Sequence, residues 1–363
     1  MTSKERMMLA IHKEKPDRLP VTVHQWQPYH LNTYMDGMSE LEAFALCGMD
    51  AAVTYVPLDE PQSPQWRVTA RRTDHQDGWT VDYRIETPEG VLTTREGSNA
   101  ATTWVEEYLI KEKEDIRLLK YRPIPVLRKN DVRAMYDKLG DRGILRTFLN
   151  GKQGGCWQDA CELYGAENLI METFDDPDWV HEFLQILLEQ KLRYIEQNLP
   201  GTPFDLIETG GGAASNTLIS PAIHEEFCLP YDQKLHDALH SLGFPVVYHT
   251  CGGMSKITHL ITQNHCDVSE TLSPTAVGGD IANDAVARQV YQDLFPKVAL
   301  IGGMDQINLL QNGSREEIAA EVQRLFGIYG AQGGYILSAC DHFFHVPRQR
   351  LIWYAEAARA CMY

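Results

Sequence analysis

The chemistry of this 363-residue chain is concentrated in a few histidines, cysteines and carboxylates that close apolar runs. In Val246-Val247-Tyr248-His249-Thr250-Cys251-Gly252-Gly253 an apolar run ends in His-x-Cys and two glycines. Residues i and i+2 of an extended strand share a face, so His249 and Cys251 would project together. The glycines let backbone or ligand come close. A second apolar run, 335–339, leads into Cys340, Asp341 and His342. Two soft ligands from one strand end and a thiolate from another make a three-ligand zinc site with an open fourth position, the arrangement of catalytic zinc. Against this stands the plain alternative that a buried cysteine is only a small apolar side chain.

Other candidates fall at similar positions. Glu208, Glu270 and Asp305 could be ligands, acid–base groups or hydrogen-bond partners of rim backbone. Glu208 is favoured because Gly210, Gly211 and Gly212 behind it open space for a ligand. Those glycines do not have dinucleotide-fingerprint spacing. Glu208, Asp341 and His342 are the candidate catalytic groups. His24, Trp26, Gly210, Gly211 and Asp305 are candidates for the substrate pocket, although for Trp26 core packing competes.

These residues need a scaffold that gathers strand ends. Strands are expected to begin near Val21, Ala51, Ile144, Asp205, Val246, Asp267, Val298 and Tyr335. Helices separate them, including ones over 4–13, 39–47, 177–198, 221–242, 254–261, 314–329 and 347–360. Eight apolar strands alternating with helices predict a parallel sheet. At this length a (β/α)8 TIM barrel is favoured over an open doubly wound sheet. Residues 64–110 break the rhythm with alternating and β-branched runs around Asp77-Gly78 and Pro88-Glu89-Gly90. They predict an antiparallel meander inserted into a single barrel domain spanning 1–363.

Composition narrows the function classes. Hydrophobic residues are 44% and charged residues 23%, ordinary for a globular protein. A net charge of −17 speaks against a nucleic-acid partner. No run reaches the length of a membrane span, and the start lacks a signal-peptide core. A cytoplasmic protein whose eight cysteines are reduced is expected.

Several segments resemble the uroporphyrinogen decarboxylase superfamily. They are Pro16-Asp17-Arg18-Leu19-Pro20-Val21, Ile219-Ser220-Pro221 with Phe227 and Pro230-Tyr231, the 245–253 stretch, Gly302-Gly303-Met304-Asp305 and the Cys340 loop. The resemblance runs over nearly the whole chain and implies a (β/α)8 barrel. His249, Cys251 and Cys340 match the zinc-dependent, corrinoid-linked methyltransferase branch, whereas Val23–Pro28 lacks the arginine expected of a decarboxylase. That branch implies Zn2+ and a cobalamin carried by a partner corrinoid protein, since no corrinoid-binding motif is present here. The Asp341-His342-Phe343-Phe344 segment and the meander resemble the O-demethylase components most. These transfer methyl from a methoxylated, aromatic donor to cob(I)alamin. The alternatives are a methylcobamide:thiol transferase of the coenzyme M type and a uroporphyrinogen-type decarboxylase. A homodimer is compatible with all three.

Overall fold

The structure is a computed structural model that describes residues 1–149 and 153–363. Seven parallel strands hydrogen-bond in chain order: Ala51–Thr54, Gly143–Phe148, Leu206–Gly210, Val246–His249, Val268–Thr271, Ala299–Met304 and Tyr335–Ala339. Helices pack outside this curled sheet, giving the α/β barrel. The eighth strand expected at Val21 is reduced to a single parallel bridge between Val21 and Leu337. Thr22 N–H donates to Leu337 O (2.9 Å) and Leu337 N–H to Pro20 O (2.9 Å), while Asp50 N–H donates to Val21 O (2.8 Å). The segment therefore still closes the sheet between its first and last strands. Pro20 has no N–H, so the ladder cannot run further back. Buried Asp50 pins the closure: it accepts from Arg6 Nη1 (2.7 Å), Arg18 Nη1 (3.0 Å) and Val21 N (3.0 Å).

The side-chain period of two divides each strand between two cores. Ala52, Ile144, Leu206, Val247, Val268, Ala299, Ile301 and Ile336 fill the barrel's interior, capped from below by Met7, Ala10 and Ile11 of the Ser3–Ile11 helix. Intervening residues such as Leu145, Ile207 and Tyr248 face the helices. The floor is thus apolar, and whatever stands two residues further along each strand faces the open end.

Four antiparallel strands, Arg67–His75, Gly78–Thr87, Gly90–Asn99 and Thr103–Glu107, form a separate sheet in chain order, within the stretch expected to be a meander. Elsewhere the helices differ from expectation. The helix expected over 221–242 is two, Pro221–Phe227 and Leu229–Ser241, because Pro230 cannot donate an N–H and its ring crowds the preceding turn. Of the expected 254–261 helix, Thr258–Ile261 forms. Asp280 instead accepts the Met254 and Ser255 N–H groups (3.0 and 3.1 Å). Among the described residues no helix is long and apolar enough to cross a membrane, and all eight cysteines are free.

Candidate metal centre at the strand ends

Counting two residues up from the floor positions Ile144, Leu206, Val247 and Val268 gives Arg146, Glu208, His249 and Glu270. Four adjacent strands therefore place one cation, one imidazole and two carboxylates in a single interior layer, each at most 1% exposed. Arg146 Nη2 donates to Glu208 Oε2 (2.9 Å) and to both oxygens of Glu270 (2.9 and 3.1 Å). Glu270 Oε1 in turn holds His249 Nδ1 at 3.0 Å. A carboxylate on Nδ1 fixes the tautomer and leaves Nε2 for a ligand, as in carboxylate–histidine–metal pairs.

His24 enters from the closing segment. Its ring lies 4.9 Å from that of His249 and 5.2 Å from that of His342. Three imidazoles thus stand in a row, and Gln27 Nε2 meets His342 Nδ1 at 3.0 Å at the far end. Two sets of candidate ligand atoms each lie within 4.8 Å of one another. One is His24, Glu208, His249 and Glu270, and the other is His24, Asp341 and His342. Three buried atoms of this group, His24 Nε2, Glu208 Oε1 and His249 Nε2, have no hydrogen-bond partner. Leaving such atoms dry and unpaired costs free energy, so the layer is shaped for a cation that satisfies them. Imidazole, carboxylate and a nearby thiol are all zinc donors, and the residues present fit that metal.

Charge follows burial and contact. Burial drives His24 down to about 3, against the pull of Glu270. It lifts Glu208 to about 7, with Glu270 adding and His249 and Arg146 opposing. Burial also opposes charge on His249, yet adjacent Cys251, Glu270 and Glu208 hold its pKa well above the usual histidine value. Glu270 stays below the carboxylate range because Arg146, His24 and His249 outweigh its burial. Asp341 is lowered in the same way by His249, His24 and His342.

The structure brings together His24, Glu208, His249, Glu270, Asp341 and His342 of the residues singled out from sequence, with Cys251 beside His249. Gly212 makes room for that cysteine: a Cβ there would stand 2.6 Å from Cys251 Sγ. Gly210, at φ +83°, has a Cβ position 2.5 Å from His249 O, and Gly211, at φ +147°, lies against Gln158. Three others are placed differently. Cys340 keeps a backbone bond to Met304 O (3.1 Å), but its buried thiol faces Leu272 O (3.8 Å), outside both ligand sets. Asp305 is occupied as a helix cap, accepting from Ile307 and Asn308 N–H (2.9 and 2.7 Å) and from Asn308 Nδ2 (2.8 Å). Trp26 is 2% exposed and packs edge-on against Phe44 and Phe343, which places it in the core. Arg146 is the residue that sequence reasoning missed. The signal that could have found it is its i+2 spacing from Ile144 in an apolar strand. Above the rim, a cleft of about 620 Å³ lies between Tyr29 and His345 on one side and the turns of the antiparallel sheet on the other.

The uroporphyrinogen decarboxylase (URO-D) family model matches residues 101–361. The chain belongs to the URO-D family. It is 27% identical over 150 residues to the methylcobamide:CoM methyltransferase MtbA of Methanosarcina acetivorans. It is 23% identical over 153 residues to MtbA of Methanosarcina mazei. Each match covers 41% of this chain and 40% of the relative, so the chain spans well under half the length of the curated relatives it matches. A solved structure titled as a methyltransferase from Methanosarcina mazei superposes with a TM-score of 0.68 at 15% identity, covering 99% of this chain and 98% of that one. At that identity the likeness speaks for the barrel fold.

Proposed function

We propose that this URO-D family chain is a corrinoid-dependent methyltransferase that works at the open end of the barrel with a bound divalent metal, zinc first, and a corrinoid carried by a partner protein. The observation that carries the reading is the convergence of three unpaired buried donor atoms, on His24, Glu208 and His249, beside Cys251. The matched relatives' names supply the reaction class. They speak of a methylcobamide donor and a coenzyme M acceptor, so the thiol reading stands first. The aromatic O-demethylase reading stands second, since neither of these two names speaks of a methoxylated donor. Family membership does not itself argue for decarboxylation. Arg146, the arginine in the charged layer, is bonded to Glu208 and Glu270 and is not free to hold a substrate carboxylate.

His249, Glu208 and Cys251 would hold the metal. When bound, it would act as a Lewis acid that makes the acceptor a better nucleophile. The chain's own contribution is orientation. Arg146 keeps Glu270 charged, Glu270 holds His249 Nδ1, and the row of imidazoles with Asp341 walls one side. Burial of this layer excludes water from the reacting atoms. We further read residues 64–110 as an insertion within a single 1–363 barrel, standing beside the mouth where the corrinoid protein would dock.

Anaerobic visible spectra test this. With metal-loaded protein and 2-mercaptoethanesulfonate, methylcobalamin should convert to cob(I)alamin. Conversion of cob(I)alamin to methylcobalamin by a guaiacol-type ether would instead place the chain on the donor side. Spectra unchanged in both, with a corrinoid protein present, would refute corrinoid methyl transfer.

A further inference from the structure

We infer that Asp280 is a positioning residue for Cys251: its carboxylate ties together three loops at the open end of the barrel and so fixes where the Cys251 thiol stands. The inference rests on the reading above that Cys251 helps to hold the metal. The three loops follow the strands Leu206–Gly210, Val246–His249 and Val268–Thr271. From the third loop, Asp280 Oδ1 accepts from Met254 N–H (3.0 Å). Its Oδ2 accepts from Ser255 N–H (3.1 Å), Ser255 Oγ (2.6 Å) and Asn216 Nδ2 (2.8 Å). Asn216, in the first loop, closes the triangle. Its Oδ1 accepts from Lys256 N–H (3.1 Å), and its own N–H donates to Gly253 O (2.8 Å). The neighbouring Thr217 Oγ1 accepts from Gly253 N–H (3.2 Å).

Cys251 therefore lies between two fixed points. On the strand side, Thr250 N–H donates to Glu270 O (2.9 Å). On the far side, the clamp holds Gly253, Met254, Ser255 and Lys256. Gly252 between them, at φ +128°, takes a backbone conformation that only glycine adopts readily, so the direction of the thiol depends on how the two ends are held. The packing is close: a Cβ on Gly253 would stand 2.6 Å from Asn216 Nδ2 and 3.1 Å from Asp280 Cγ. Burial by itself would raise the Asp280 carboxyl, but the bonds from Ser255, Asn216 and Met254 outweigh it and leave the group below the usual carboxylate range. Charge-assisted bonds of this kind are stronger than neutral ones, and an amide in the same place would turn its NH2 toward other donors.

The full-length variants Asp280→Asn and Asp280→Ala would be compared with the parent, together with Asn216→Ala, which cuts another arm of the same clamp should either Asp280 variant fail to fold. Circular dichroism and urea unfolding give fold and stability. Cys251 is the one of the eight cysteines that is not buried. Alkylation of the metal-free protein with iodoacetamide, located by mass spectrometry, thus reads its exposure without metal or turnover. The rate at Cys251 should rise about tenfold in the variants, the scale of losing one hydrogen bond to a charged group from a local equilibrium. Zinc affinity in a competition titration should fall about tenfold or more. A folded variant that alkylates at the parent's rate would overturn the inference, whatever its unfolding midpoint, since the clamp would then serve stability alone. Faster alkylation with unchanged zinc affinity would keep the clamp and instead overturn the reading of Cys251 as a metal ligand.

Discussion

Replacing Arg146 by methionine should destabilise the protein in a pH-dependent way. Arg146 is 1% exposed and is bonded to both Glu208 and Glu270. Methionine conserves much of the volume but leaves the carboxylates without their cation. Breaking a buried pair by removing one partner costs about 3–5 kcal/mol. Protonation caps the loss. Glu270 can escape by taking up a proton, which at pH 7 costs about 1.36 × (7 − 4.3) ≈ 3.7 kcal/mol, and at pH 5.5 about 1.6 kcal/mol. The sign follows from linkage. In the parent the Glu270 pKa is depressed, so its stabilisation is present above about pH 4.3 and lost as pH falls through the folded value. Above about pH 4.3 that contribution is constant, whereas in the variant the carboxylate without its cation stays folded only by holding a proton, its pKa raised, so the variant loses stability and the gap between the proteins widens as pH rises. Urea unfolding of the metal-free proteins at pH 5.5, 7 and 8, followed by circular dichroism, reads this directly. The expected loss is about 3–4 kcal/mol at pH 7 and about half that at pH 5.5. A loss under about 1 kcal/mol that does not vary with pH would refute the charged-layer reasoning.

Three further outcomes are expected. Gly212→Ala should crowd the Cys251 sulfur, 2.6 Å from the new Cβ, and weaken zinc binding in a competition titration while leaving the unfolding free energy within about 1 kcal/mol of the parent. Buried Asp232 has its pKa lifted to about 7 by burial, against Tyr248 and Lys191. A folded pKa above the unfolded value means ionisation costs stability as pH rises between about 4 and 7. Asp232→Asn should therefore gain stability relative to the parent more at pH 8 than at pH 5 by scanning calorimetry, and a pH-flat difference would count against it. Gly302→Ala puts a Cβ into the Thr271 carbonyl at φ +125° and should yield little folded protein, read as loss of the native near-ultraviolet dichroism.

Much of the barrel was legible because it is written locally. The apolar runs ending at His249 and Ala339 alternate with helices at regular spacing, and the helix expected from residue 314 starts there, with Ser314 and Glu317 forming a capping box. The site was legible where a side chain's neighbours lie on its own strand, as with His249 and Cys251. It was not legible where the partner comes from another strand. Arg146, in Ile144-Leu145-Arg146-Thr147-Phe148, shares the interior face with Ile144, but the carboxylates that pair with it there, Glu208 and Glu270, lie 62 and 124 residues away. Cys340 and Asp341 illustrate the converse. The sequence marks both as rim residues, and packing around Leu272 decides which of the two turns to the histidines. Trp26 was equally ambiguous until Phe44 and Phe343 were seen to enclose it. The break at Cys228 could have been read from Pro230, since a proline two residues into the second helix marks its start.

The central claim is that this barrel moves a methyl group between cobalt and a small acceptor at the His249 layer. Methylcobalamin labelled with carbon-13 in its methyl group tests it most directly. It would be incubated without oxygen with zinc-loaded protein and 2-mercaptoethanesulfonate and followed by nuclear magnetic resonance. In the expected reaction the cobalt–carbon bond breaks with its electron pair left on cobalt, a sulfur–carbon bond forms, and the thiol proton is released. The label should appear as a thioether methyl with the parent protein and be lost with His249→Ala. Label that stays on cobalt with the parent protein, or that moves equally well with folded His249→Ala, would contradict the account.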